Sequence, residues 1–187
     1  QRIPDIPVNV KYSFKNGSHL QAGAVLRNMY YKDEIEDKDR IVTGWGASLS
    51  GIWQFAQNTS LCFQGVYGKG ISNYIQDISG TGLDLVPNAT AEGKLKAFGA
   101  WGGYIGFSHN WSKVLTSNIM YSYARVLDRY GMPTTSYKYA QYAAANLFWD
   151  FSEYGSCAIE YVFGRRNDFN KDYGNASRIN TMIQYRF

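Results

Sequence analysis

Residues 178–187, the last ten of the chain, read RINTMIQYRF. Odd positions carry Ile179, Thr181, Ile183, Tyr185 and Phe187; even positions carry Arg178, Asn180, Met182, Gln184 and Arg186. Such alternation marks a β-strand whose two faces meet different surroundings. In a soluble sandwich the apolar face buries against a second sheet. In an outer-membrane barrel it meets lipid, while the polar face meets a water-filled lumen.

The pattern recurs upstream. Val8, Val10, Tyr12 and Phe14 oppose Asn9, Lys11 and Ser13; Leu20, Ala22, Ala24 and Leu26 oppose Gln21, Gly23 and Arg27. Trp45, Leu49, Trp53 and Phe55 oppose Gly46, Ser48, Ser50 and Gln54. Further stretches lie around 61–68, 98–108, 114–123, 145–151 and 157–164, so with the terminal strand nine are expected. Short turns at 16–19, 56–60, 109–113 and 153–156 alternate with longer polar connections at 31–40, 71–94, 127–138 and 165–177. That rhythm predicts an all-β, antiparallel, up-and-down transmembrane barrel with periplasmic short turns, whereas a Greek-key sandwich lacks it. Tyr12, Phe14, Trp53, Phe55, Trp111, Trp149, Phe151, Tyr185 and Phe187 crowd the periplasmic rim, where an aromatic girdle belongs.

Composition agrees. Of 187 residues, 45% are hydrophobic and 17% aromatic, yet no run approaches the roughly 18 apolar residues of a spanning helix. Sixteen Tyr, ten Phe and five Trp with only four Pro suit strands. The net charge of +4 is mild and the basic residues form no cluster that would address nucleic acid. Cys62 and Cys157 lack a CxxC spacing, and strand parity points the first inward and the second outward, so free thiols are expected. Ser108 and His109 are strand neighbours facing opposite sides with no orienting carboxylate, which argues against an enzyme. The acidic stretch 31–40 lacks the ligand spacing of a calcium loop, and no metal or other cofactor is expected.

Nine is odd, whereas bacterial single-chain barrels have even strand numbers and periplasmic termini. The expectation is that residues 1–187 form the C-terminal portion of a single, larger barrel domain. The opening QRIPDIPVNV reads like mid-protein sequence, and the edge at 7–14 would pair with further strands.

Parity places Lys11, Arg27, Arg40, Lys94, Lys96, Lys138, Arg166, Arg178 and Arg186 inward, against the acids Asp150 and Glu160. A passage so lined concentrates anions. Lys11, Arg27, Arg166 and Arg178 are the expected funnel, with Arg166 and Arg178 as cross-strand neighbours. Gly23, Gly46, Gly68, Gly102 and Gly106 are expected to keep the lumen open, and the segment 70–94 to constrict it or clamp a neighbouring subunit. The alternative is a small stand-alone barrel, structural or adhesive, whose lumen side chains fill.

Several stretches resemble the DcaP-like outer-membrane porins: PDIPVNVKYSF, HLQAGAVLRNMYY, GWGASLSGIWQF, LCFQGVYGKGISNYIQDI and AIEYVFGRRNDFNKDYGNASRINTMIQYRF. Gly68, Gly70, Tyr74 and Ile75, and the terminal YVFGRR…ASRI…YRF, are the most specific. The resemblance implies the C-terminal half of a sixteen-stranded, homotrimeric porin in the outer membrane of a Gram-negative bacterium. It implies a path for small anionic solutes, dicarboxylates in particular. The strand ending at Phe187 looks like the signal read by the barrel-assembly machinery.

Overall fold

The computed structural model describes residues 3–88, 90–127, 129 and 131–187. The strands are β1 (Ile6–Ser13), β2 (His19–Asp33), β3 (Lys38–Ala56), β4 (Thr59–Lys69), β5 (Leu85–Pro87), β6 (Leu95–Ala97), β7 (Gly99–Asn110), β8 (Leu115–Val126), β9 (Tyr137–Asp150), β10 (Gly155–Asp168) and β11 (Tyr173–Tyr185). Nine of them pair in the order β1-β2-β3-β4-β7-β8-β9-β10-β11, each antiparallel to its sequence neighbour in that order. The expected nine-stranded up-and-down wall is present. It is not closed, because β1 and β11 each pair on one side only.

One face of this wall has no protein against it. Val10 is 75% exposed and Ile183 85%, and Ile119, Leu147, Ile159 and Ile179 stand out with them. A soluble sandwich would cover these side chains, since each costs about 1.5–3 kcal/mol to leave in water. Aromatics bound the apolar face at both ends. Trp53, Phe55, Trp111, Trp149 and Tyr185 are exposed at the short-turn end. Tyr67, Trp101, Tyr123 and Tyr139 stand at the other, with Trp101 and Tyr123 rings 5.0 Å apart and Tyr123 and Tyr139 5.5 Å apart. Tyr139 and Trp149 are ten residue steps apart along β9. At roughly 3.3 Å per residue and a tilt near 40°, that is about 25 Å, the height of the lipid band of a transmembrane barrel.

Connection lengths depart from the expected rhythm. Residues 31–40 and 165–177 are not loops: β2–β3 and β10–β11 continue through them to four-residue turns at 34–37 and 169–172. Strands that rise out of the bilayer have water on both faces, so alternation ends before the strand does. The long connections are 70–98 and 127–136.

Residues 70–98 fold back onto the inner face. Gly70, with φ of 69°, turns the chain off β4 in a left-handed conformation that favours glycine, beside the Met29 side chain. Two single-turn 3-10 segments, Ser72–Tyr74 and Gln76–Ile78, precede the β5–β6 hairpin. Ile71, Ile75, Ile78, Val86 and Phe98 pack on Ala100, Ala124 and Val126 of the wall, with Val25 and Val66 beside them. Ile71, Ile78 and Phe98 are at most 1% exposed. This seam is the hydrophobic core.

Two of the inward glycines, Gly46 and Gly102, serve that seam. A Cβ on Gly46 would lie 2.9 Å from Ile71 Cγ2, and one on Gly102 would lie 3.4 Å from Ile75 Cγ2. Of the five glycines expected to keep the lumen open, these two bed the loop, while Gly23, Gly68 and Gly106 meet atoms of the wall itself. The thiols of Cys62 and Cys157 are free.

Candidate functional site: the inner wall and its folded-in loop

The loop is stapled through Arg27, an inward residue of β2. Its guanidinium donates from Nε to Asp5 Oδ2 at 3.0 Å and from Nη1 to Asp84 Oδ1 at 2.8 Å, and Nη1 also donates to the carbonyl of Gly70. Asp84 Oδ1 additionally accepts from Ser72 N and Ser72 Oγ, both at 2.8 Å, and Asp84 Oδ2 accepts from Asn73 Nδ2 at 3.3 Å. Tyr74 donates its hydroxyl to Asp5 at 2.8 Å. Arg27 is 5% exposed and held by two carboxylates, so its charge is already matched. It anchors the loop instead of lining a funnel. Sequence reading missed this because Asp5 and Asp84 lie in segments without periodicity.

The other expected cations fall in varied places. Arg40 pairs with Asp33 and Glu36. Lys96 is on β6 of the loop, opposite Val86, and not on a wall strand. Lys138 sits where the β9–β10 register shifts, its Nζ 6.0 Å from the centre of the Phe169 ring. Arg166 pairs with Asp168 at 2.9 Å and stands 5.7 Å from the Tyr137 ring. Arg186 lies beyond β11 at the short-turn rim and shares a surface pocket with Asp150 and Glu153. Lys11 and Arg178 face inward on the two edge strands with no ion pair among the described residues.

Arg166 and Arg178 are not cross-strand neighbours. Arg166 stands opposite Gly174 and Arg178 opposite Val162, four residues apart along β10, or about 13 Å. Symmetric placement about a supposed long loop suggested the pair; the strands instead run on to a tight turn.

Two register rows cross the inner wall. The middle one runs Lys11, Gln21, Ser50, Gln64, Tyr104, Ser122, Tyr142. Four of these, Gln64, Tyr104, Ser122 and Tyr142, face the loop's Tyr74–Asp77 across a cleft of about 560 Å³. No Lys or Arg lines that cleft, and its acid is Asp77, whose carboxyl burial pushes above the usual range. The row nearer the short turns runs Gln54, Ser60, Ser108, Asn118, Asn146, Glu160, Asn180. Asn118 donates to Asn146 at 2.7 Å, and Glu160 accepts from Asn146 at 3.2 Å and from Asn180 at 2.9 Å. His109 faces away from this row and shares a 2.8 Å hydrogen bond with Thr59 Oγ1.

An apolar outer belt about 25 Å high, a polar inner face and a loop folded onto that face define a barrel wall. The wall has the fold of an outer-membrane channel. It is similar to the outer membrane channel DcaP of Acinetobacter baumannii, with a TM-score of 0.80 and 19% identity over 100% of this chain. The match covers 52% of that channel, so the chain spans about half its length. The NanC porin matches more loosely, at a TM-score of 0.48 and 11% identity over 98% of this chain and 93% of its own. No protein-family profile and no curated protein matches the sequence. A lipid-facing β-wall of the DcaP channel's fold is an outer-membrane structure, and the open sheet corresponds to part of such a barrel.

Proposed function

We propose that this chain is about half of an outer-membrane porin through which small anionic solutes, dicarboxylates among them, diffuse past the constriction made by residues 70–98. Lys11 and Arg178 carry the reading: both face the lumen, and neither meets a carboxylate in an ion pair among the described residues. Arg166 adds to them, being 58% exposed despite Asp168. Further strands of the same barrel close the edges at β1 and β11, because unpaired backbone in lipid costs several kcal/mol per group. The assembled channel is a homotrimer, as the DcaP-like porins are expected to be. The β11 strand, with Ile179, Ile183 and Tyr185 on its lipid face, engages the barrel-assembly machinery through Phe187.

A second reading is a weakly selective passage for neutral polar solutes. The cleft beside Asp77 favours it, since tyrosines, two glutamines and a serine line it without a cation among the described residues. Reversal potential across a planar bilayer under a salt gradient separates the two. The Lys11→Glu/Arg178→Glu double variant of the whole protein is expected to shift selectivity toward cations. An unchanged potential refutes the anion reading and leaves the neutral one.

A further inference from the structure

On the outward face of β4 and β7–β11 charge stands at one end only, where the lipid belt gives way to water; Lys32 and Asp39, outward on β2 and β3, stand opposite each other at that same end. Along β4 and β7–β11 the outward residues include no Asp or Glu among the described residues, and their cations are Lys69, Arg125 and Arg165. All three lie at the long-loop end. Lys69 is two residues beyond Tyr67, Arg125 stands opposite Trp101 and Tyr139, and Arg165 stands opposite Gln141. They therefore share the depth of the outer aromatic row, about 25 Å from the periplasmic girdle and at the level of outer-leaflet headgroups.

Their spacing is regular. Lys69 and Arg125 are two strands apart and two residues out of register, and Arg125 and Arg165 repeat both intervals. Strands about 4.8 Å apart and residues about 3.4 Å apart put each successive Cα pair near 12 Å. None of the three makes an ion pair among the described residues. Neutral groups hold the two arginines in place. Arg165 lies 4.3 Å from the Tyr173 ring centre and donates from Nε to Asn167 Oδ1 at 3.1 Å. Arg125 sits beside Tyr123. Unmatched cations at an interface cost desolvation energy unless anions meet them there.

We propose that Lys69, Arg125 and Arg165 form a binding site for the phosphates of an anionic glycolipid of the outer leaflet. Guanidinium groups grip phosphate oxygens bidentately. The rings of the Trp101–Tyr123–Tyr139 row, packed on one another at the same depth, offer apolar surface to the acyl chains. Basic clusters at headgroup depth recognise anionic lipids in this manner. The site rests on the outer-membrane reading but not on the solute, so conductance tests the channel and lipid retention tests the site.

The experiment is native mass spectrometry of the whole protein, extracted from its membrane in mild detergent. The probes are a diphosphorylated glycolipid, its dephosphorylated form, a zwitterionic phospholipid and inorganic phosphate. The diphosphorylated glycolipid is expected to be retained at least tenfold more strongly than the other lipids, and inorganic phosphate not at all. Arg125→Gln/Arg165→Gln is expected to abolish the preference while keeping the heat-dependent gel shift of a folded barrel. Equal retention of the dephosphorylated lipid, or an undiminished preference in the variant, overturns the proposal. Binding of inorganic phosphate alone also overturns it, and points to a free anion site. If the variant loses subunit association but keeps the glycolipid, the face belongs to a neighbouring subunit and the proposal falls.

Discussion

The inner wall has two unlike ends. Toward the long loops its residues are Gly46, Val66, Gly102, Ala100 and Ala124, covered by a loop that brings Ile71, Ile75, Ile78 and Phe98. Toward the short turns they are Ser60, Ser108, Asn118, Asn146, Glu160 and Asn180, beyond the reach of that loop among the described residues. The same strands supply both ends, with the same parity. An inward position is therefore not one chemical environment. Where the loop lies, the wall behaves as half of a globular core; where it does not, the wall is a polar surface on which the Glu160 carboxylate is held by two asparagines.

The comparison breaks most readily at Arg27. Replacing it by alanine leaves Asp5 and Asp84 facing each other without their cation. Asp5 and Asp84 are 19% and 20% exposed, so the loss stays below the roughly 3–5 kcal/mol of a fully buried pair. The loop is expected to leave the wall, seen as raised single-channel conductance and new protease cleavage within 70–98. Normal conductance and an intact loop would mean the apolar seam alone holds it. A smaller effect is expected from Gly46→Ala, whose new methyl lies 2.9 Å from Ile71 Cγ2. Overpacking costs about 1–3 kcal/mol, so the same cleavage should appear more slowly. The matching substitution at the uncovered end, Asn118→Ala, should leave the loop as it is.

The smallest effect sharpens the contrast through pH. Burial holds the Asp77 carboxyl above its ordinary value, so the docked loop binds a proton more tightly than the released one. Its contribution to docking is complete below the ordinary value near 3.9 and fades as pH rises through the docked-state value. Hydrogen exchange of 70–98, corrected for intrinsic rate, should slow on acidification from pH 6 to pH 4. Asp77→Asn should remove that trend, and a trend retained in the variant would assign it to another group.

Much of this was legible beforehand. Alternation located all nine wall strands, because each crosses a boundary between lipid and water that a period of two records faithfully. It failed where that boundary ends. Lys32, Asp33, Lys38 and Asp39 are strand residues with polar character on both faces, and so are Arg165 to Asp168. The fate of Arg27 was hidden for a different reason. Its partners are 22 and 57 residues away, in stretches with no period to read. The inward glycines misled in the same way, since an absent side chain looks alike whether water or Ile71 fills the space.

The staple at Arg27 also imposes an order of events. It joins a residue ahead of β1, a residue of β2 and a loop that can dock only once β7 and β8 have paired with β4. Contacts so distant along the chain close late. Docking of the loop therefore follows the pairing of β4, β7 and β8, whose inner surface it covers. In the function proposed above, one guanidinium would then set the width of the passage.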